Sequence, residues 1–268
     1  MYSGTTLRNH SGQLIGVHQR IDSLARRNLT KCVGDAAGFP SARQILHFEG
    51  KNGPDGIKRK SPGVDEPWHF IDPNDPGDRV LINMITEHYR NLVAALREPN
   101  SERAAFEAAW LAHAIVDGLT PAHHYPLGDK IEELWGKPQS ERSSRLEKSF
   151  IKGSSIRDSL SKNWQYWGAK GVFSTHLLFE AGVASSITTH RFVDTVPSEE
   201  EIAAVAAEGL EATFLESAQY VFDLDMYHEF WRKGWTTKLA LQTRRELLPI
   251  IIWLVTAAWI LAYKESQA

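Results

Sequence analysis

Apolar residues recur along this chain every three or four positions and seldom alternate, so the pattern predicts helices and almost no strand. From Val17 to Leu29, the residues Ile21, Leu24, Ala25 and Leu29 make one apolar stripe. Arg79 to Leu96 repeats it with Leu81, Ile82, Ile85, Tyr89, Leu92 and Leu96. The next helix follows the Pro99-Asn100-Ser101 stop and runs to Gly118, where Thr120-Pro121 ends it. Thr175 to Thr188, Glu199 to Phe222 and Met226 to Thr243 read as further helices before an apolar run from Leu247 to Tyr263. The expectation is an all-α chain, four to six helices around one core, in a single domain over residues 1–268.

Two stretches interrupt this regularity. Phe48 to Asp78 is rich in Gly, Pro and Asp, the signature of a long surface excursion. Residues 126–168 mix Lys, Glu, Ser and Trp with weaker periodicity and read as an insertion or lid. The run from Leu247 to Tyr263 raises the membrane question. It has 17 residues with Pro249 near its start, whereas a spanning helix wants about 20. A helix apolar all round also suits the centre of a large helical domain, which is the reading adopted.

Composition narrows the function classes only a little. Of 268 residues, 42% are hydrophobic, enough for a real core. The 30 basic and 33 acidic side chains are interspersed and sum to −3, so no global field marks a nucleic-acid binder, and a polyanionic substrate would have to be gripped locally. The single cysteine, Cys32, excludes an internal disulfide and reads as core filler. Met1 to His18 lacks the apolar core of a secretory signal, so a cytoplasmic location is the default expectation.

The chemistry concentrates in Trp110-Leu-Ala-His113-Ala-Ile-Val-Asp117-Gly-Leu-Thr-Pro-Ala-His123. Phe106, Trp110, His113 and Asp117 are spaced by four, three and four residues, so a helix places all of them on one inward face. A carboxylate on a buried stripe is costly unless something positive meets it, and a divalent cation between Asp117 and His113 would. His123, just past Pro121, can turn back to the same place; His124 is its rival. His176 and Glu180 repeat the four-residue spacing on another helix. His18 opens the first helix, where Asp22 is expected to pair with Arg26 one turn on. In the Gly/Pro excursion, Asp55 sits on a Gly-Pro-Asp-Gly turn and His69 in an aromatic run, Trp68-His69-Phe70. Imidazole and carboxylate donors without thiolates match a catalytic zinc site.

In that order, His18, Asp55, His69 in His-Phe-Ile-Asp-Pro, His113-x-x-x-Asp117 with Pro-x-His123, and His176-x-x-x-Glu180 resemble the bacterial zinc-dependent phospholipase C family, whose fold is shared with fungal single-strand-specific zinc nucleases. The matched positions span about 60% of the chain. The resemblance implies a zinc held by Asp55, His69, His113 and Asp117, and a second held by His123, His176 and Glu180, with Glu132 and Glu133 as competitors for the latter. In the family a third zinc is held by an early histidine, the shared aspartate, and the amino group and carbonyl of an N-terminal tryptophan. His18 and Asp117 fit the first two roles. No tryptophan precedes His18, so His10, the backbone or a processed terminus would have to substitute.

The implied activity is hydrolysis of a phosphodiester bond by a metal-bound hydroxide, with Asp55 orienting or deprotonating the water and zinc neutralising the phosphate oxygens. The substrate class stays open among phospholipid, nucleic acid and small esters. No stable nucleic-acid partner is implied, and membrane contact is compatible with the pattern. Lys58-Arg59-Lys60 reads as a solvated charge run, and Trp164, Tyr166 and Trp167 as core packing. The competing expectation is a non-catalytic, metal-stabilised helical scaffold or a membrane-associated protein. Histidine-aspartate phosphohydrolases need an adjacent His-Asp pair, which is absent, and a di-iron bundle needs two helical Glu-x-x-His motifs.

Overall fold

The first apolar stripe forms α1 (Val17–Val33), with Ile21, Leu24, Ala25 and Leu29 all buried along it. It belongs to a computed structural model that describes residues 1, 16–56, 70–98, 100–125, 127–137, 141, 150–188 and 190–268. Gly34 ends α1 at φ 75°, where a side chain would be strained. Helix α2 (Ala42–His47) had no periodic signal. It starts at a reciprocal capping box between Ser41 and Gln44.

Helices α3 (Val80–Arg97) and α4 (Ser101–Gly118) form the most extensive helix pair. Asn100 caps α4 by accepting from the Arg103 N–H at 3.0 Å. Beyond the 3-10 turn Pro121–His123 lie α5 (Leu127–Trp135), α6 (Ile156–Trp167) and α7 (Val172–Thr188). Among its described residues, the stretch read as an insertion or lid contains α5 and α6. The run expected to be continuous from Glu199 to Phe222 is split at Gly209, φ 91°, into α8 (Glu199–Glu208) and α9 (Leu210–Asp223). Gly234, φ 71°, likewise separates α10 (Met226–Lys233) from α11 (Thr237–Gln242). Both glycines sit inside good helical periodicity, but their positive φ lets the chain turn where packing demands it. The fold is all-α, with no strand among the described residues and more helices than the pattern suggested.

A single π turn, Thr243–Leu247, leads into α12 (Leu248–Gln267). Pro249 lies in its first turn, where a missing N–H breaks nothing. By length and composition this helix could cross a membrane. It is the core of the fold: Ile251, Ile252, Leu254, Val255 and Trp259 are fully buried, and it lies against α1, α3 and α4. The Trp259 Nε1–H donates to the Ala108 carbonyl at 3.1 Å. Burying each such aliphatic side chain contributes about 1.5–3 kcal/mol, so this helix anchors the elements that carry the histidines.

One close approach fixes the end of α4. A Cβ on Gly118 would come within 2.5 Å of the Phe214 ring and 2.8 Å of Leu81. Glycine thus lets the end of α4 close against α3 and α9. Cys32 departs from expectation, for it is exposed rather than in the core.

Candidate metal centre

The inner face of α4 presents His113 and Asp117 one turn apart, and both are buried. His113 Nε2 lies 3.3 Å from Asp117 Oδ2. From α1, His18 stacks on His113 with ring centroids 4.0 Å apart and an interplanar angle of 9°, and its Nε2 is 3.3 Å from Asp117 Oδ1. Three donors from two helices therefore converge closely enough to hold one metal ion.

A second group repeats the arrangement. His123 and His176 stack at 5.1 Å and 12°. Glu180 Oε1 lies 3.3 Å from His123 Nε2 and 3.1 Å from His176 Nε2. These three donors, too, lie together closely enough for one ion. The two groups are joined by Asp117, whose Oδ1 is 3.7 Å from His123 Nδ1.

Met1 completes the junction. Its amine donates to Asp117 Oδ1 and lies 3.5 Å from Glu180 Oε1, and its carbonyl oxygen is 3.0 Å from His18 Nε2. Of the substitutes considered for the missing tryptophan, it is backbone that lies beside His18 and Asp117, while His10 lies outside the described residues. Burial opposes the charge on this amine, but the carboxylates of Asp117, Glu180 and Asp55 outweigh it and hold its pKa at about 10.

Two acidic residues stand behind the histidines, neither of them among the ligands expected from spacing. Glu49, at 0% exposure, places Oε2 3.3 Å from His113 Nδ1. His113 thus faces carboxylates through both ring nitrogens, Glu49 on one side and Asp117 on the other. Burial alone would make His113 shed its proton, but Glu49 and Asp117 together raise its pKa to about 10. Asp22 corrects the expected pairing with Arg26. Its carboxyl is buried beside Glu49, and burial first and Glu49 second push its pKa well above the usual range. Arg26 instead donates through Nε to the Pro40 carbonyl at 2.6 Å. Both Asp22 oxygens, Glu49 Oε1 and His18 Nδ1 are buried without a hydrogen-bond partner. Glu49 also shows that the Gly/Pro excursion is not wholly on the surface.

The remaining candidates divide clearly. Asp55, half-buried, acts electrostatically on the Met1 amine and so lies near the junction. His69 and Lys58-Arg59-Lys60 lie outside the described residues. Phe70 packs its ring 5.1 Å from His123, and the Ile71 N–H donates to the His123 carbonyl at 3.1 Å. His124 turns the other way and donates through Nε2 to the Gly118 carbonyl at 2.7 Å. Glu133 is exposed and bound to Lys130 at 3.0 Å, and neither it nor Glu132 joins either group. Burial holds the His123 pKa down at about 4, despite the pull of Asp117. Glu180 is the opposite case: burial would raise it, but the Met1 amine and His176 hold it well below the usual carboxylate range.

No protein-family model and no curated protein sequence matches the chain. The chemical content of the site is its own. Buried carboxylates and imidazoles from α1, α4, α7 and the turn after α4 converge, and among the described residues no buried lysine or arginine joins them. The Met1 amine offsets part of the negative charge, but Glu49 Oε1 and both Asp22 oxygens stay orphaned, and a divalent cation would add to that compensation.

Proposed function

We propose that the chain hydrolyses phosphodiester bonds with zinc bound at this centre. The observation that carries the reading is the sharing of Asp117 between two stacked histidine groups, which would set two cations side by side. Nitrogen and oxygen donors without thiolate suit zinc in a catalytic setting. His113 and Asp117, with Asp55 and His69, would hold one ion. His123, His176 and Glu180 would hold the next. His18, Asp117 and the Met1 backbone are the donors for a third. The resemblance to the zinc-dependent phospholipases C supports this division.

When bound, zinc lowers the pKa of a coordinated water to about 7 and neutralises phosphate oxygens. The chain's own residues do the rest. Asp55, half-buried at the junction, orients the attacking water and accepts its proton. Glu49 receives the Nδ1–H of His113 and fixes that ring's tautomer and plane. Phe70 lies against His123 and, at 6.3 Å, against His176, shielding that side from water.

A metal-stabilised scaffold without turnover is the second reading, favoured by the complete burial of His18 and His113. Elemental analysis of the purified chain and of His113→Ala, paired with a chromogenic phosphodiester assay, separates the two. Zinc and turnover in the wild type, both reduced in the variant, support the hydrolase. Zinc without turnover supports the scaffold, and unchanged metal and activity in His113→Ala refutes both.

A further inference from the structure

Helix α6 is tied down by one face and exposes an apolar stripe along the flank of that face. Tyr166 stacks on Phe173 of α7 with centroids 5.3 Å apart, and Asn163 both accepts from the Ile151 N–H and donates to its carbonyl. Flanking that face, Ile156, Leu160 and Trp164 follow one another at four-residue spacing and are 83%, 66% and 72% exposed. Trp167 continues the stripe at its edge, and Leu177 and Leu178 of α7 are exposed as well. This corrects the expectation that the tryptophans are core. A helical stripe reads the same in sequence whether it faces in or out.

Large apolar side chains exposed in a row along a helix of a folded chain mark a contact site. Its surroundings identify the chemistry of what it meets. Between residues 150 and 178 the chain carries Lys152, Arg157, Lys162 and Lys170 against the single acidic residue Asp158, although the whole chain is net acidic. Asp158 is engaged with the Ser154 N–H and hydroxyl and lies 3.8 Å from Lys162. Aliphatic side chains in a row, tryptophan within the row and a net basic segment carrying them form the pattern of a helix lying in a lipid interface. A nucleic acid would find aromatic faces here but would have no use for Ile156, Leu160, Leu177 and Leu178.

We propose that the α6 stripe, with Leu177 and Leu178, docks the protein onto an anionic lipid bilayer. The apolar side chains enter the headgroup boundary and the basic residues meet lipid phosphates. Leu177 directly follows His176, so the docked face adjoins the metal centre. The docking stands on exposure and charge and does not require that centre to be active.

The test is flotation of the full chain with vesicles of phosphatidylcholine and phosphatidylglycerol in equal parts, beside vesicles of phosphatidylcholine alone. Binding should favour the anionic vesicles and weaken with salt. The double variant Leu160→Asp with Trp164→Ala should partition about tenfold more weakly or worse. Its helical circular dichroism, metal content and turnover of a soluble phosphodiester should equal those of the wild type. Failure of the hydrolytic reading would show in the last two measurements and leave flotation untouched. The proposal is overturned if the wild type does not float, or if the double variant floats equally well. It is also overturned if the stripe proves to be occupied by a second copy or by single-stranded DNA, seen as a dimer or complex that the variant abolishes while vesicles are ignored.

Discussion

Replacing Glu49 by glutamine should loosen the chain's hold on metal without unfolding it. Glu49 is fully buried, its Oε2 lies 3.3 Å from His113 Nδ1, and its Oε1 has no hydrogen-bond partner. Without metal, the change removes one negative charge from a pair in which Asp22 is already driven toward neutrality by burial and by Glu49 itself. The lost attraction to His113 and the relieved repulsion with Asp22 act in opposite directions, so the melting temperature of the chelated protein should move little. With metal bound, His113 must be neutral and would donate its Nδ1–H to residue 49. A hydrogen bond to a charged acceptor contributes about 1.5–3 kcal/mol against about 0.5–1.5 kcal/mol for a neutral one. The difference, about 1–1.5 kcal/mol, corresponds to roughly tenfold in affinity, the lower edge of the range typical for residues that orient a ligating histidine. Competition with a fluorescent zinc chelator at fixed pH measures it, with thermal melts in chelator as the control. Unchanged zinc affinity, or collapse of the metal-free fold, would refute the reasoning.

Asp117→Asn should deplete both histidine groups together, seen as loss of more than one equivalent of zinc by elemental analysis, because the one carboxylate contacts His18, His113 and His123. Gly118→Ala should cost about 1–3 kcal/mol in denaturant unfolding, since its Cβ would overlap Phe214 and Leu81. His124 is buried with Nδ1 unpartnered, and burial lowers its pKa from 6.5 to about 4. Its contribution to stability is therefore complete above about pH 6.5 and is lost as pH falls toward 4, worth about 3 kcal/mol over that window. Chelated His124→Gln should show a correspondingly shallower loss in urea melts across the same range.

The parts of this protein that repeat with a helix's period were open to reading from sequence, and the parts that depend on distant neighbours were not. His113 and Asp117 declare themselves because four residues make one turn and the stripe above them is apolar. His176 and Glu180 do so for the same reason. Glu49 does not, since it lies in an aperiodic Gly/Pro segment and only the closure of that segment over α1 and α4 buries it. Asp22 had Arg26 at helical spacing, and burial beside Glu49 kept the two apart. Gly209 and Gly234 were visible as glycines, but whether a periodic run bends at a glycine is settled by tertiary packing. Trp164 was read as core from its residue type, but which side of α6 meets the rest of the fold is settled by packing that the residue type does not encode.

The single carboxylate between the two histidine groups has a consequence for how the centre fills. Oxygen Oδ1 faces His18 and His123 while Oδ2 faces His113, so occupancy on one side sets the torsion of the group that the other side needs. It also withdraws electron density from it. Two cations arriving there would not load independently: a stepwise isotherm with unequal constants is the thermodynamic signature of such a bridge, and linkage requires each step to alter the other equally.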